Sequence, residues 1–257
     1  MYCEDHLVTM GRMPDNFVDL TVTSPPYDNL RDYKGYTFQF EKMAKELYRV
    51  TKQGGVVVWV VGDKTENGSE SLTSFKQSIY FREQCGFNLH DTMIYAKKKA
   101  PLNDLRYEQE FEYMFILIKG KIIKFNPILT KKEYKDNRKI KVCGRYADNR
   151  PVIGFASKKE DKVVGNIWLY KVGGGHVTKD KIAYQHPAIF PEQLAADHIY
   201  SWSNEGDLVY DPMAGSGTVP KMAIKMNRNW IASEISQEYC DIAEKRIKRE
   251  QSILKLF

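Results

Sequence analysis

The sequence predicts an α/β domain built on a mostly parallel, twisted sheet. Three observations carry this expectation. Apolar runs of strand length alternate with runs of helical spacing. One of them, Val56–Val61, is apolar at every position, as a central strand covered on both faces must be. A glycine-rich turn, Gly215-Ser216-Gly217, stands between an apolar strand and a helical run. The 257 residues, 42% of them hydrophobic, suffice for one large core, with or without an inserted segment.

Taken in order, residues 17–23 alternate apolar and polar and stop at Ser24-Pro25-Pro26, a strand ended by two prolines. Phe40, Met43, Ala44, Leu47 and Val50 follow helical spacing, and Gly54-Gly55 is the expected end of that helix. The strand Val56–Val61 follows, with Trp59 expected in the core. Asp63, just beyond it, reads equally as a turn residue or as a wall of a substrate pocket. Leu89–Tyr95 and Phe111–Ile118 read as two more strands. Regular structure resumes at Pro191, a good first-turn residue for a helix carrying Leu194, Ala195, His198, Ile199 and Trp202. A strand at Asp207–Tyr210, a helix opened by Pro220 and a strand at Asn229–Ser233 come next. Ser236 then caps a last helix whose inward positions are Tyr239, Ile242, Ala243 and Ile247. The expected division is 1–118, an inserted segment 119–184, and 185–257.

Charge singles out the middle segment. Between Lys119 and Tyr184 there are 17 Lys and Arg against 6 Asp and Glu, while the whole chain carries only +6. A solvated insertion would look like this, and so would a phosphate-contacting surface for nucleic acid. The interleaved Phe125, Tyr134, Tyr146, Phe155, Trp168 and Tyr170 suit base stacking or a small core. Lys97-Lys98-Lys99 reads either as a solvated run or as phosphate contacts. No apolar run approaches the ~20 residues of a membrane helix, so no membrane is expected. The N-terminal stretch lacks a secretory layout, and Cys3, Cys85, Cys143 and Cys240 lack metal spacing. Reduced thiols, a cytoplasmic protein and no metal centre are expected.

Two constellations carry chemistry. The first is Asp211-Pro212-Met213-Ala214-Gly215-Ser216-Gly217-Thr218, followed by Glu234 at the end of the next strand. A Gly-x-Gly alone is often only a tight turn. Here strand, turn, helix, strand and acid fall in the order of a nucleotide-binding crevice: backbone approaches ligand, a helix N-terminus presents N–H groups, and the acid accepts from ribose hydroxyls. The dinucleotide spacing and a phosphate-binding lysine are missing, which favours a nucleoside without pyrophosphate. The second is Thr23-Ser24-Pro25-Pro26-Tyr27 at a strand's carboxyl end, which could also be an ordinary Pro-Pro turn. An exocyclic base amine is a poor nucleophile because its lone pair is delocalised into the ring. The Ser24 hydroxyl and Pro25 carbonyl can accept its two N–H bonds and free that lone pair. Pro25 and Pro26 keep the backbone stiff and remove competing donors, and Tyr27 offers a ring for a flipped base.

Together these motifs resemble the β-class DNA amino-methyltransferases, over nearly the whole chain except the basic segment. The resemblance implies a Rossmann-like methyltransferase fold with helices on both faces and S-adenosylmethionine as cofactor. It implies duplex DNA as substrate, a restriction endonuclease as counterpart, and a homodimer. By the same resemblance, Asp5 with Leu7 and Met10 matches the acidic motif that contacts the cofactor's adenine, behind a strand kept short by its closeness to Met1. His186-Pro187-Ala188-Ile189-Phe190-Pro191 matches the segment closing over the cofactor's methionine part, with Phe190 in contact and His186 structural. Asp211, Pro212, Ala214, Gly215, Ser216, Gly217, Thr218 and Glu234 match the cofactor motif. Ser24 stands where adenine-N6 members more often carry Asp; the Ser-Pro-Pro-Tyr form is commonest among cytosine-N4 members. Cytosine N4 is thereby favoured over adenine N6. An RNA methyltransferase, a nicotinamide oxidoreductase and an inactive nucleic-acid-binding protein are the competing readings.

Overall fold

The computed structural model describes residues 1–26, 38–97, 106–131, 140–145, 151–156, 161–172, 175 and 177–254, with only the backbone for 140–145, 151–156 and 254. Tyr27, Lys98, Lys99, Tyr134, Tyr146, Gly173 and Gly174 lie outside the described residues. Two compact units emerge, one of residues 1–126 and 166–257 and one of residues 127–165.

The larger unit holds an eight-stranded sheet. Its strands are β1 (Tyr2–Cys3), β2 (Val18–Thr23), β3 (Thr51–Val61), β4 (Asn88–Lys97), β5 (Phe111–Ile118), β6 (Ile167–Tyr170), β7 (Leu208–Asp211) and β8 (Asn229–Glu234). Their spatial order is β1-β8-β7-β2-β3-β5-β4-β6. Every pairing is parallel except the two made by β5, with β3 and with β4. The short β1 pairs with the end of β8, Tyr2 beside Ser233 and Cys3 beside Glu234.

The period of two sorts the side chains onto two covered faces. In β3, Val56, Val58 and Val60 face one core, with Leu20, Val22, Ile116 and Val209. Helices α4 (Glu192–Trp202) and α5 (Thr218–Lys225) cover it with Leu194, Ala195, Ile199, Val219 and Ala223. Val57, Trp59 and Val61 face the other core. There α1 (His6–Gly11) and α2 (Phe40–Val50) contribute Met10, Met43, Ala44, Leu47 and Val50. Trp59 is fully buried as expected, its indole N–H donating to Gln77 at 2.8 Å. The helix α3 (Thr73–Tyr80) follows β3, and α6 (Gln237–Leu254) closes the unit.

Two boundaries differ from expectation. Helix α2 ends at Val50, not at the glycine pair, because Thr51 turns to an extended conformation and its hydroxyl donates to the Leu47 carbonyl at 2.6 Å. Gly54 and Gly55 lie inside β3, where the register to β2 slips between Val18 and Leu20; Gly54 supplies the positive φ of 77° that the slip requires. Pro191 stands one residue outside α4, at its N-cap.

The basic stretch is divided. Residues 166–184 belong to the larger unit, because Ile167–Tyr170 extends the sheet along β4 and buries Tyr170. Trp168 packs against the core and Tyr170 donates to Asp197 at 2.8 Å, so these two aromatics serve the core. Phe125 lies stacked on Trp202, with ring centres 5.1 Å apart. In the smaller unit, Ile140–Arg145 pairs antiparallel with Pro151–Ala156, and Leu129–Lys131 with Asp161–Val163. It retains 11 Lys and Arg against 5 Asp and Glu, so the surplus of positive charge stays with it. Among the described residues no helix is long and apolar enough to cross a membrane.

Candidate active site

Strands β2, β7 and β8 run parallel side by side, so their carboxyl ends open at one edge. A cleft of about 450 Å³ lies there. Thr23, Ser24, Pro25 and Pro26 line one side; Asp211 to Ser216, Thr218 and Glu234 line the other; His186 to Pro191 form a wall. The two constellations, nearly 190 residues apart in sequence, are joined directly: the Thr23 hydroxyl donates to Asp211 Oδ1 at 3.1 Å. A volume in the range of roughly 300–1,000 Å³ suits a nucleoside-sized ligand.

The acid and the glycine turn hold each other. Glu234 accepts the N–H of Gly215 at 2.9 Å and of Ser236 at 2.9 Å. Its carboxyl is pushed up by burial, and those backbone bonds oppose the shift. The turn is more closed than a free helix N-terminus, since the N–H groups of Ala214 and Gly217 are also engaged, by the carbonyls of Ser233 and Ala214. The glycines answer to different neighbours. A β-carbon at Gly215 would stand 2.9 Å from the His186 ring, which overlies the cleft and contacts the backbone of Ala188 through Nδ1 at 2.8 Å. A β-carbon at Gly217, where φ is 76°, would stand 2.8 Å from that of Ala243 in α6. Gly217 is thus fixed by helix packing. Gly217→Ala is expected to cost about 2–4 kcal/mol, left-handed strain plus overpacking, read as a lower urea midpoint at unchanged slope.

Asp211 is buried, and that burial pushes its carboxyl up to about 7; the N–H of Met213 and the Thr23 hydroxyl oppose this, while Glu234 adds to it. The folded protein therefore holds a proton that the unfolded chain, titrating near 3.8, has released. Folding stability contributed by this group is full below about 4, falls as pH rises towards about 7, and is flat above. Asp211→Asn is expected to remove that component, by up to about 1.4 kcal/mol per pH unit. Urea unfolding of both proteins between pH 5 and 8, without cofactor, measures it; parallel stability curves would refute it.

Other expectations resolve as follows. Asp5 caps α1, accepting the Leu7 N–H at 2.7 Å, and its neighbours Glu4 and His6 line the cleft. Asp63 accepts the Ser74 N–H at 2.9 Å and secures the start of α3. Lys97 pairs with Glu112. Tyr95, Glu112 and Ile235 line the cleft without carrying a motif in the sequence, and Tyr239, expected only as an inward position of the last helix, lines it too. Tyr95 lies two residues inside the carboxyl end of β4 and Ile235 one residue beyond that of β8, a signal available in the sequence; Glu112 lies at the amino end of β5, which meets the cleft because β5 runs antiparallel to its neighbours. The hydroxyls of Ser216 and Thr218 face Arg246, at 2.9 and 3.2 Å, a partner that helical spacing alone would have placed on the inward face of α6.

Parallel strand ends, a glycine turn held by an acid and a second motif across the cleft define an α/β protein of the nucleotide-binding kind, with a nucleoside-sized cleft at its strand ends. The chain belongs to the DNA methylase family of N6 and N4 methyltransferases, whose model matches residues 18–245. It is 57% identical over 239 residues to the orphan methyltransferase M.BamHII of Bacillus amyloliquefaciens, covering 91% of this chain and 90% of that one. Among solved structures, the cytosine-N4-specific PvuII DNA methyltransferase superposes with a TM-score of 0.72 at 20% identity, covering 98% of this chain and 90% of that one. The Thermus thermophilus protein TTHA0409, complexed with S-adenosyl-L-methionine, gives 0.63 at 22% identity, covering 97% and 94%. The β-class resemblance and the mostly parallel fold stand.

Proposed function

We propose that this chain transfers a methyl group from S-adenosylmethionine to the exocyclic N4 of a cytosine flipped out of duplex DNA. The observation that carries the reading is the shared cleft in which Thr23 and Asp211 bond across the two motifs. The residues fit the cofactor: a buried carboxylate at Glu234 for the ribose, and a glycine turn with a positive φ at Gly215 overlaid by His186, with Phe190 lining the same cleft. Asp5, Asp211, Pro212, Ala214, Ser216, Gly217 and Thr218 complete the proposed set, Asp5 and Gly217 through the elements they hold in place. When bound, S-adenosylmethionine supplies an electrophilic methyl on a sulfonium.

The chain's own residues do the rest. Ser24 and the Pro25 carbonyl accept the amine's N–H bonds and draw the nitrogen lone pair out of conjugation. Pro26 stiffens the turn, and Tyr27 stacks on the base. The proton left on the methylated nitrogen passes to water, so His186 needs no role as a base. The positive charge of residues 127–165 suits phosphate contacts. Ser24 in place of the Asp more frequent in adenine enzymes favours cytosine, and the N4 specificity of the PvuII enzyme agrees.

Nucleosides from duplex DNA incubated with protein and S-adenosylmethionine, separated by mass spectrometry, test this. N4-methylcytosine is expected; N6-methyladenine would reassign the base, and methyl uptake confined to structured RNA would replace the substrate. The orphan designation of the Bacillus relative favours modification without a dedicated nuclease over a paired endonuclease. Light scattering at working concentration tests the proposed homodimer.

A further inference from the structure

Arg246, in α6, has no exposed surface. Its guanidinium meets three separate parts of the chain. Nη1 donates to the carbonyl and hydroxyl of Ser216 and to the hydroxyl of Thr218, both in the glycine turn. Nε donates to Asp180 at 3.2 Å and Nη2 to Glu192 at 2.8 Å. Asp180 and Glu192 stand immediately before and after residues 181–191, the arch that carries His186 to Pro191 along the cleft. Arg246 therefore ties both feet of the arch to the turn that floors the cleft. Lys221 of α5 reinforces the joint, 2.8 Å from Glu192, as does the Thr178 hydroxyl at 2.6 Å.

A buried charge network of this kind contributes little net stability compared with an apolar packing of the same volume. What it does contribute is geometry: a planar fork of donors fixes its acceptors in direction as well as distance, which an ammonium does not. The spacing between arch and turn decides how closely Phe190 and the glycine turn can embrace one ligand; of the two buried cations that reach both feet of the arch, Arg246 and Lys221, Arg246 is the one that also bonds the turn.

We propose that Arg246 is a positioning residue that determines affinity for the cofactor without touching it. The inference rests on the reading of this cleft as the S-adenosylmethionine site. The test is Arg246→Lys, which keeps the buried charge but loses the fork. Calorimetric titration with S-adenosylmethionine and with S-adenosylhomocysteine should show both bound roughly tenfold or more weakly. The KM for the cofactor should rise in step, with kcat at saturating cofactor within about threefold and the KM for DNA unmoved. Asp180→Asn loosens the clamp from one foot of the arch and should shift both affinities in the same direction; it serves alone where Arg246→Lys does not fold. A lower melting temperature with cofactor affinities within about twofold of wild type would mean a merely structural role and would overturn the inference. Wild-type protein that binds neither ligand would overturn the reading of the cleft itself, and the inference with it.

Discussion

Ser24→Ala is expected to lower kcat about a hundred- to a thousandfold while leaving cofactor affinity within about twofold. The magnitude is that of removing one preorganised polar partner from a reacting centre. In the free base the amine is planar and its lone pair is committed to the ring. Ser24 contributes only as the nitrogen pyramidalises, so its loss falls on the transition state and not on the cofactor ground state. The link between the two motifs is the bond from the Thr23 hydroxyl to Asp211, and Ser24→Ala leaves both of its partners in place. Single-turnover methylation at saturating cofactor, paired with calorimetric binding, measures both quantities. Wild-type turnover in the alanine variant would remove Ser24 from the chemistry.

Glu234→Ala should act in the opposite sense, weakening cofactor binding first. Hydrogen bonds to a charged acceptor are worth about 1.5–3 kcal/mol each. Two ribose hydroxyls losing such a partner correspond to roughly a hundredfold or more in Kd. The same carboxylate accepts the N–H groups of Gly215 and Ser236, so its removal also leaves buried donors unmatched and releases the turn. Glu234→Gln, which keeps one acceptor oxygen, is expected to fall between wild type and alanine. Equal affinities in wild type and alanine variant would exclude Glu234 from the cofactor site.

Much of the fold was legible because its signals are local. The uninterrupted apolar run in β3 announced a strand buried on both faces, and the prolines after Thr23 and the glycines after Asp211 marked strand ends. The same local logic misplaced the end of α2, since Gly54 and Gly55 signal a positive φ without saying whether it serves a helix end or a slipped ladder. Charge alone makes the basic stretch look like one insertion. Pairing of Ile167–Tyr170 with β4 divides it, and pairing partners are set by distant sequence. Within the cleft, the glycine turn, Glu234 and Ser24-Pro25-Pro26 were recognisable as motifs, whereas Tyr95 and Glu112 carry no motif.

The amino-acid sequence by itself determined the central strands and the helices α2, α4, α5 and α6, and it marked two short motifs as candidates for the chemistry, because hydrophobic period and backbone-restricting residues act within a few positions. Only the tertiary structure decided that Thr23 meets Asp211, that Glu4 and His6 face the cleft, and that Arg246 gathers Asp180, Ser216 and Glu192. Each of those contacts depends on how strands order themselves within a sheet and how helices settle upon it, a choice made by packing the whole core at once.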